Sequence, residues 1–70
     1  MNVNAAFNRA VNALDRSDFD LLAADVADMA RHEDMPEGRA WRVLAQRIGG
    51  APALRSYVAC LRIGALRGAK

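Results

Sequence analysis

The sequence predicts an all-α fold, a compact bundle of four short helices in a single domain spanning residues 1–70. Three observations predict it. Apolar residues recur at the three- and four-residue spacing of a helix face through most of the chain. Pro36, the pair Gly49-Gly50 and Pro52 stand where that spacing breaks. No alternating run of β-branched residues marks a strand.

The first helix is predicted over Val3–Leu14. Val3, Phe7, Ala10, Val11 and Leu14 fall on one stripe, with Asn4, Asn8 and Asn12 on the opposite side. Asparagine is a weak helix former, so this helix depends on packing. Asp15-Arg16 makes a tight connection. Ser17 is the expected N-cap of the second helix, with Asp20 three residues on as a short-armed capping-box partner. That helix runs to His32 and turns Phe19, Leu22, Val26 and Met29 inward, with Ala23 and Ala30 widening the stripe. Asp18 and Asp20 sit at the positive end of its dipole, Arg31 and His32 at the negative end.

Residues 33–38 form a loop and a helix start, with Asp34 as the expected cap and Pro36 in the first turn, where its missing N–H costs nothing. The third helix continues to Ile48. Trp41, Leu44, Ala45 and Ile48 form its apolar stripe; Arg39, Arg42 and Gln46 take the other side. Gly49-Gly50 ends it, because glycine accepts the left-handed conformation after a helix. Pro52 opens the fourth helix, which extends to about Leu66. Leu54, Tyr57, Val58, Leu61 and Ala65 share one face, while Ala59, Cys60, Ile63 and Leu66 cover much of the other. Gly64 weakens its last turn, and Arg67-Gly68-Ala69-Lys70 is expected to fray.

A helix apolar on nearly all sides is normally buried. Hydrophobic residues are 53% of this chain of 70 residues, and a core of that size is marginal without help from a disulfide, a metal or a partner subunit. Self-association is therefore expected: a homodimer joined through Ala59, Cys60, Ile63 and Leu66. Cys60 is the only cysteine, so no internal disulfide forms and a reducing, cytoplasmic setting is expected. The N-terminus lacks the basic stretch and apolar run of a signal peptide. No apolar run approaches the ~18 residues that would span a membrane. Arginine outnumbers lysine nine to one, a composition associated with GC-rich bacterial or bacteriophage genes.

The net charge of +2 conceals a division. All eight acids lie in residues 1–37, with three arginines; residues 38–70 carry seven bases and no acid. Such asymmetry suits either a polyanionic partner for the basic half or mutual attraction of the two halves. The basic surface expected to bind a partner comprises Arg39, Arg42, Arg47, Arg55 and Arg62, whose guanidinium forks suit phosphates and carboxylates alike.

The inventory for catalysis is thin, and no enzyme activity is expected. His32 is the single histidine and is accounted for by the helix dipole. Asp25, Asp28 and His32 share a ridge with Leu21, but three such ligands with no fourth make a poor metal site. Cys60 sits in an apolar stretch and is expected to behave as a buried small hydrophobe. Gly49-Gly50 lacks the flanking lysine and hydroxyl residue of a phosphate-binding loop. No catalytic, cofactor-binding or metal-ligating residue is assigned, and no cofactor is expected.

Residues 44–58 resemble the bacterial helix-turn-helix family. A small residue in the first helix (Ala45), a glycine four residues later (Gly49) and an apolar position further on (Val58) match that pattern. Arg55 stands where the family places an apolar anchor, Leu54 comes one residue early, and Pro52 opens the would-be recognition helix. The resemblance implies DNA contact through Arg55, Ser56 and Arg62, fewer polar side chains than base readout normally employs. The sequence thus leads to two main expectations, with a structural subunit of a larger assembly as a third option. The first is a small, non-enzymatic regulatory or inhibitory protein that binds another protein, of the kind encoded by phages and mobile elements. The alternative is a helix-turn-helix-like transcriptional regulator using residues 44–62, with nucleic acid as its partner.

Overall fold

The structure, a computed structural model, describes residues 3–68, with side chains from 5 to 67. Four helices appear in the expected order: α1 (Val3–Asn12), α2 (Arg16–His32), α3 (Glu37–Ile48) and α4 (Ala51–Gly68), with no strand among the described residues. The side chain of Val3 and the residues Ala69 and Lys70 lie outside what is described.

The core follows the predicted stripes. Phe7 and Val11 come from α1, Leu22, Val26 and Ala30 from α2, Leu44 and Ala45 from α3, and Leu54 and Val58 from α4. Ala40 also belongs to it, fully buried. Having no side chain beyond Cβ, it lets α3 approach its neighbours closely, a role that its position one residue before Trp41 does not advertise. α2 packs on α3 and α4; α1 packs on the same two helices and hardly touches α2. Each large buried side chain contributes about 1.5–3 kcal/mol of transfer free energy, spread here over all four helices.

Several local expectations are corrected. α1 stops at Asn12 instead of Leu14, in a turn where the Ala13 and Leu14 N–H groups donate to carbonyls of Arg9, Ala10 and Val11. The N-cap of α2 is Asp15, not Ser17: the Asp15 carboxylate accepts from the Asp18 N–H at 2.9 Å. The helix thus begins earlier, and Ser17 is an exposed residue of its first turn. A carboxylate at this point also meets the positive end of the dipole, which a serine hydroxyl exploits less well.

Asp34 does not cap α3. It has φ +52 and ends α2. The Met35 N–H donates to the Ala30 carbonyl at 2.9 Å and the Asp34 N–H to Arg31 at 3.3 Å, the paired bonds of a Schellman motif with aspartate in the position glycine usually takes. Half-buried Met35 packs on the core beside this turn. Pro36, in extended conformation, is the N-cap of α3 and offers no side-chain bond.

Phe19, expected in the core, is 38% exposed. Its ring stacks on Trp41 at a centroid distance of 6.3 Å, while Trp41 meets buried Phe7 at 6.2 Å with its ring tilted by 58°. Trp41 therefore separates Phe19 from the interior, and a two-ring-deep edge replaces the predicted inward position. Ala65, predicted to face inward, is also exposed.

Candidate functional site

α4 is positioned by α2, and two polar contacts fix their register. The Tyr57 hydroxyl donates to the Asp25 carboxylate. The Arg62 guanidinium donates twice to Asp18, from Nε to Oδ1 at 2.7 Å and from Nη2 to Oδ2. Ascending positions on α4 thus meet descending positions on α2, so the helices run antiparallel. In that register Arg16, where α2 begins, lies opposite residues 64–66 of α4. The residues beyond, up to Gly68, extend past α2 by roughly 3–6 Å at the usual rise per residue. The radius of gyration, 12.0 Å, correspondingly exceeds the about 11 Å typical of a compact chain of this length.

Along the rooted half of α4, Leu54 and Val58 are buried while Tyr57 and Leu61 are half-buried. Towards its C-terminal end, Ile63 is 52% and Leu66 76% exposed. Ser56, Ala59 and Cys60 continue that exposed face back along the helix. The second apolar face of α4, read from the sequence as an interface, is thus left exposed among the described residues.

The root is electrostatically tight. Asp18 is 8% exposed, the single buried charged residue among those described. It holds Arg62 through its side chain while its N–H donates to Asp15. The Asp18 hydrogen bonds and negative charge push the Arg62 guanidinium above its ordinary range. The Tyr57 hydroxyl is pushed up to about 12, first by burial, then by its bond to Asp25 and the carboxylate charge; Arg47 opposes this with its positive charge. Sequence reasoning placed Asp18 only at the helix dipole. The signal that could have found its second role is the spacing of Asp18 and Asp25, seven apart along one flank of the apolar stripe of α2.

Four of the five arginines line two different depressions. Arg39 and Arg42 flank a shallow one with Val43 and Gln46 on α3. Arg47 is exposed near the end of α3, and its charge acts on the Tyr57 hydroxyl. Arg55 and Arg62 border a separate depression with Leu14, Asp18 and Val58. The ridge of α2 is likewise divided: Asp25 accepts from Tyr57, Asp28 pairs with Arg31, and His32 is exposed. Among the described residues no three His, Cys, Asp or Glu side chains converge as metal ligands would.

The segment resembling a helix-turn-helix has a two-residue connection, Gly49-Gly50. Ala45 is 2% exposed, and Gly49, at φ +78, donates its N–H to the Ala45 carbonyl. Arg55 is exposed rather than anchoring, and Leu54 is buried in its place. No described helix is long and apolar enough to cross a membrane. Compared with known proteins, the chain matches no protein-family model, no curated protein and no solved structure.

Proposed function

We propose that this protein acts by binding another protein, as a small regulatory or inhibitory factor without catalytic activity, and that it docks through the exposed outer face of α4. One observation carries this reading: Ile63 and Leu66 stand 52% and 76% exposed, uncovered by the other described residues. Exposed apolar patches with a charged rim are characteristic of interfaces. The free thiol of Cys60 on that face is compatible with the reducing cytoplasm proposed as its setting. A second copy of the chain competes for the same face, as the homodimer expected from composition.

The test is an affinity capture from bacterial lysate with nuclease present, comparing the natural chain with Ile63→Asp. Both positions of the patch are on the surface, so the variant keeps the fold. A near-stoichiometric protein held by the natural chain and released by the variant supports docking through α4. Capture that ignores Ile63→Asp sinks this assignment.

DNA binding is the second reading, favoured by buried Ala45 and left-handed Gly49 at the helix-turn-helix spacing. It requires an affinity that falls steeply with salt, since every neutralised phosphate releases counterions. It also requires sensitivity to Arg55→Ala. The outer face at the start of α4 is Ala51, Pro52 and Ala53, all exposed, and offers base edges no polar side chain.

A further inference from the structure

We infer that the exposed face of α4 receives an amphipathic helix with acidic flanks from a partner protein, in preference to a second α4; the inference rests on the docking reading above. Ser56, Ala59, Ile63 and Leu66 follow a 3-4-3 spacing along the exposed face. That is the seam of a helix made to pack lengthwise on another helix. The seam widens from small residues at Ser56 and Ala59 to large ones at Ile63 and Leu66. A partner helix therefore comes closest near Ala59 and fills that end with its own bulky side chains.

The flanks decide what that helix carries. α4 contains no acidic residue and bears Arg55 and Arg62 on one side of the seam and Arg67 on the other. The nearby acids belong to the root and are committed there: Asp15 caps α2, and Asp18 holds Arg62. Among the described residues neither Arg55 nor Arg67 has an ion-pair partner.

Pairing two copies of α4 leaves Arg55 and Arg67 without an opposite charge in either orientation, because α4 carries no acid to offer them. Arg62 is already answered by its own Asp18. Glutamates or aspartates flanking the partner's seam supply the charge that a second α4 lacks, and complementary flanks of this kind select partners in helix pairs.

The experiment titrates the intact chain, isotope-labelled for amide NMR, with two synthetic helical peptides of about 21 residues, three heptads. They share a leucine and alanine seam and differ only in flanks, all glutamate or all lysine. The glutamate peptide is expected to shift the amides of residues 56–67 and to bind about tenfold more tightly than the lysine peptide at low salt. Arg55→Glu with Arg67→Glu, both exposed positions, is expected to reverse the preference. Equal binding of the two peptides, binding by neither, or shifts confined to other helices overturns the inference. So does a sedimenting dimer that Ile63→Asp dissolves, which would give the face to a second copy. The docking reading fails separately, when lysate capture is indifferent to Ile63→Asp.

Discussion

Arg62 and Asp18, 44 residues apart in sequence, are joined by two hydrogen bonds from one guanidinium to one carboxylate, where the first turn of α2 meets the C-terminal third of α4. This pair helps set the register of α4 on α2. A planar fork makes the two bonds together, and an ammonium group does not reproduce them. Arg62→Ala and Asp18→Ala are each expected to lower the thermal midpoint, and Arg62→Lys to restore little of the loss. The double variant should lose less than the sum of the singles, because removing one partner leaves the other uncompensated. Melts followed by circular dichroism measure the cycle; strict additivity would mean that the pair does not couple the helices.

Tyr57 is the single tyrosine, and its bond to Asp25 couples folding to pH. Its folded pKa of about 12 lies above the ordinary value of 10. The stability it contributes is therefore complete below pH 10 and is lost as pH rises towards 12, where the unfolded chain ionises first. Urea unfolding of the natural chain should show that alkaline decline. Tyr57→Phe should remove it, at a cost near neutral pH of about 0.5–1.5 kcal/mol for the lost hydrogen bond.

Asp34 adopts φ +52 in an exposed turn, where an L-residue is strained and glycine is not. Asp34→Gly is expected to raise stability by up to about 1 kcal/mol, the gain tempered by the greater freedom of the unfolded chain. Asp34→Val should lower it. Denaturant midpoints that move the other way would show that the Asp34 side chain stabilises the turn by some contact of its own.

Two leucines separate folding from docking. Leu44 is 1% exposed and Leu66 76%. Leu44→Ala should cost about 2–5 kcal/mol, enough to populate the unfolded state of so small a domain. Leu66→Ala should change stability by less than about 0.5 kcal/mol while weakening partner capture. A stability loss at Leu66 comparable with that at Leu44 would mean that this turn is covered, by a second copy or otherwise.

Gly64 is exposed between Ile63 and Leu66 on α4, and a Cβ there meets nothing within 4 Å. Gly64→Ala should stabilise the helix by up to about 1 kcal/mol. Greater helix content with unchanged capture is the expected result. Loss of capture would show that the partner approaches the backbone at Gly64.

The site was less legible in the sequence than the helices, for one physical reason. Arg39, Arg42, Arg47, Arg55 and Arg62 share a sign, and composition alone makes them a surface. Their directions depend on how α3 and α4 are turned about their axes, and Arg39 and Arg42 line a different depression from Arg55 and Arg62. Ile63 and Leu66 were legible as a second apolar face because a single helix carries both faces whatever it packs against.

The sequence by itself determined four helices, their order, the Gly49-Gly50 break and nearly every core residue. Periodicity, proline and glycine act over a few neighbouring residues, within the reach of local backbone energetics. Only the tertiary structure decided that Asp18 is buried beneath Arg62, that Trp41 shields the interior from Phe19, and that α4 outruns α2. Each of these follows from the register of helices whose contacting residues lie tens of positions apart. That register is set where all the apolar stripes are buried together, and no local stretch of the chain contains it.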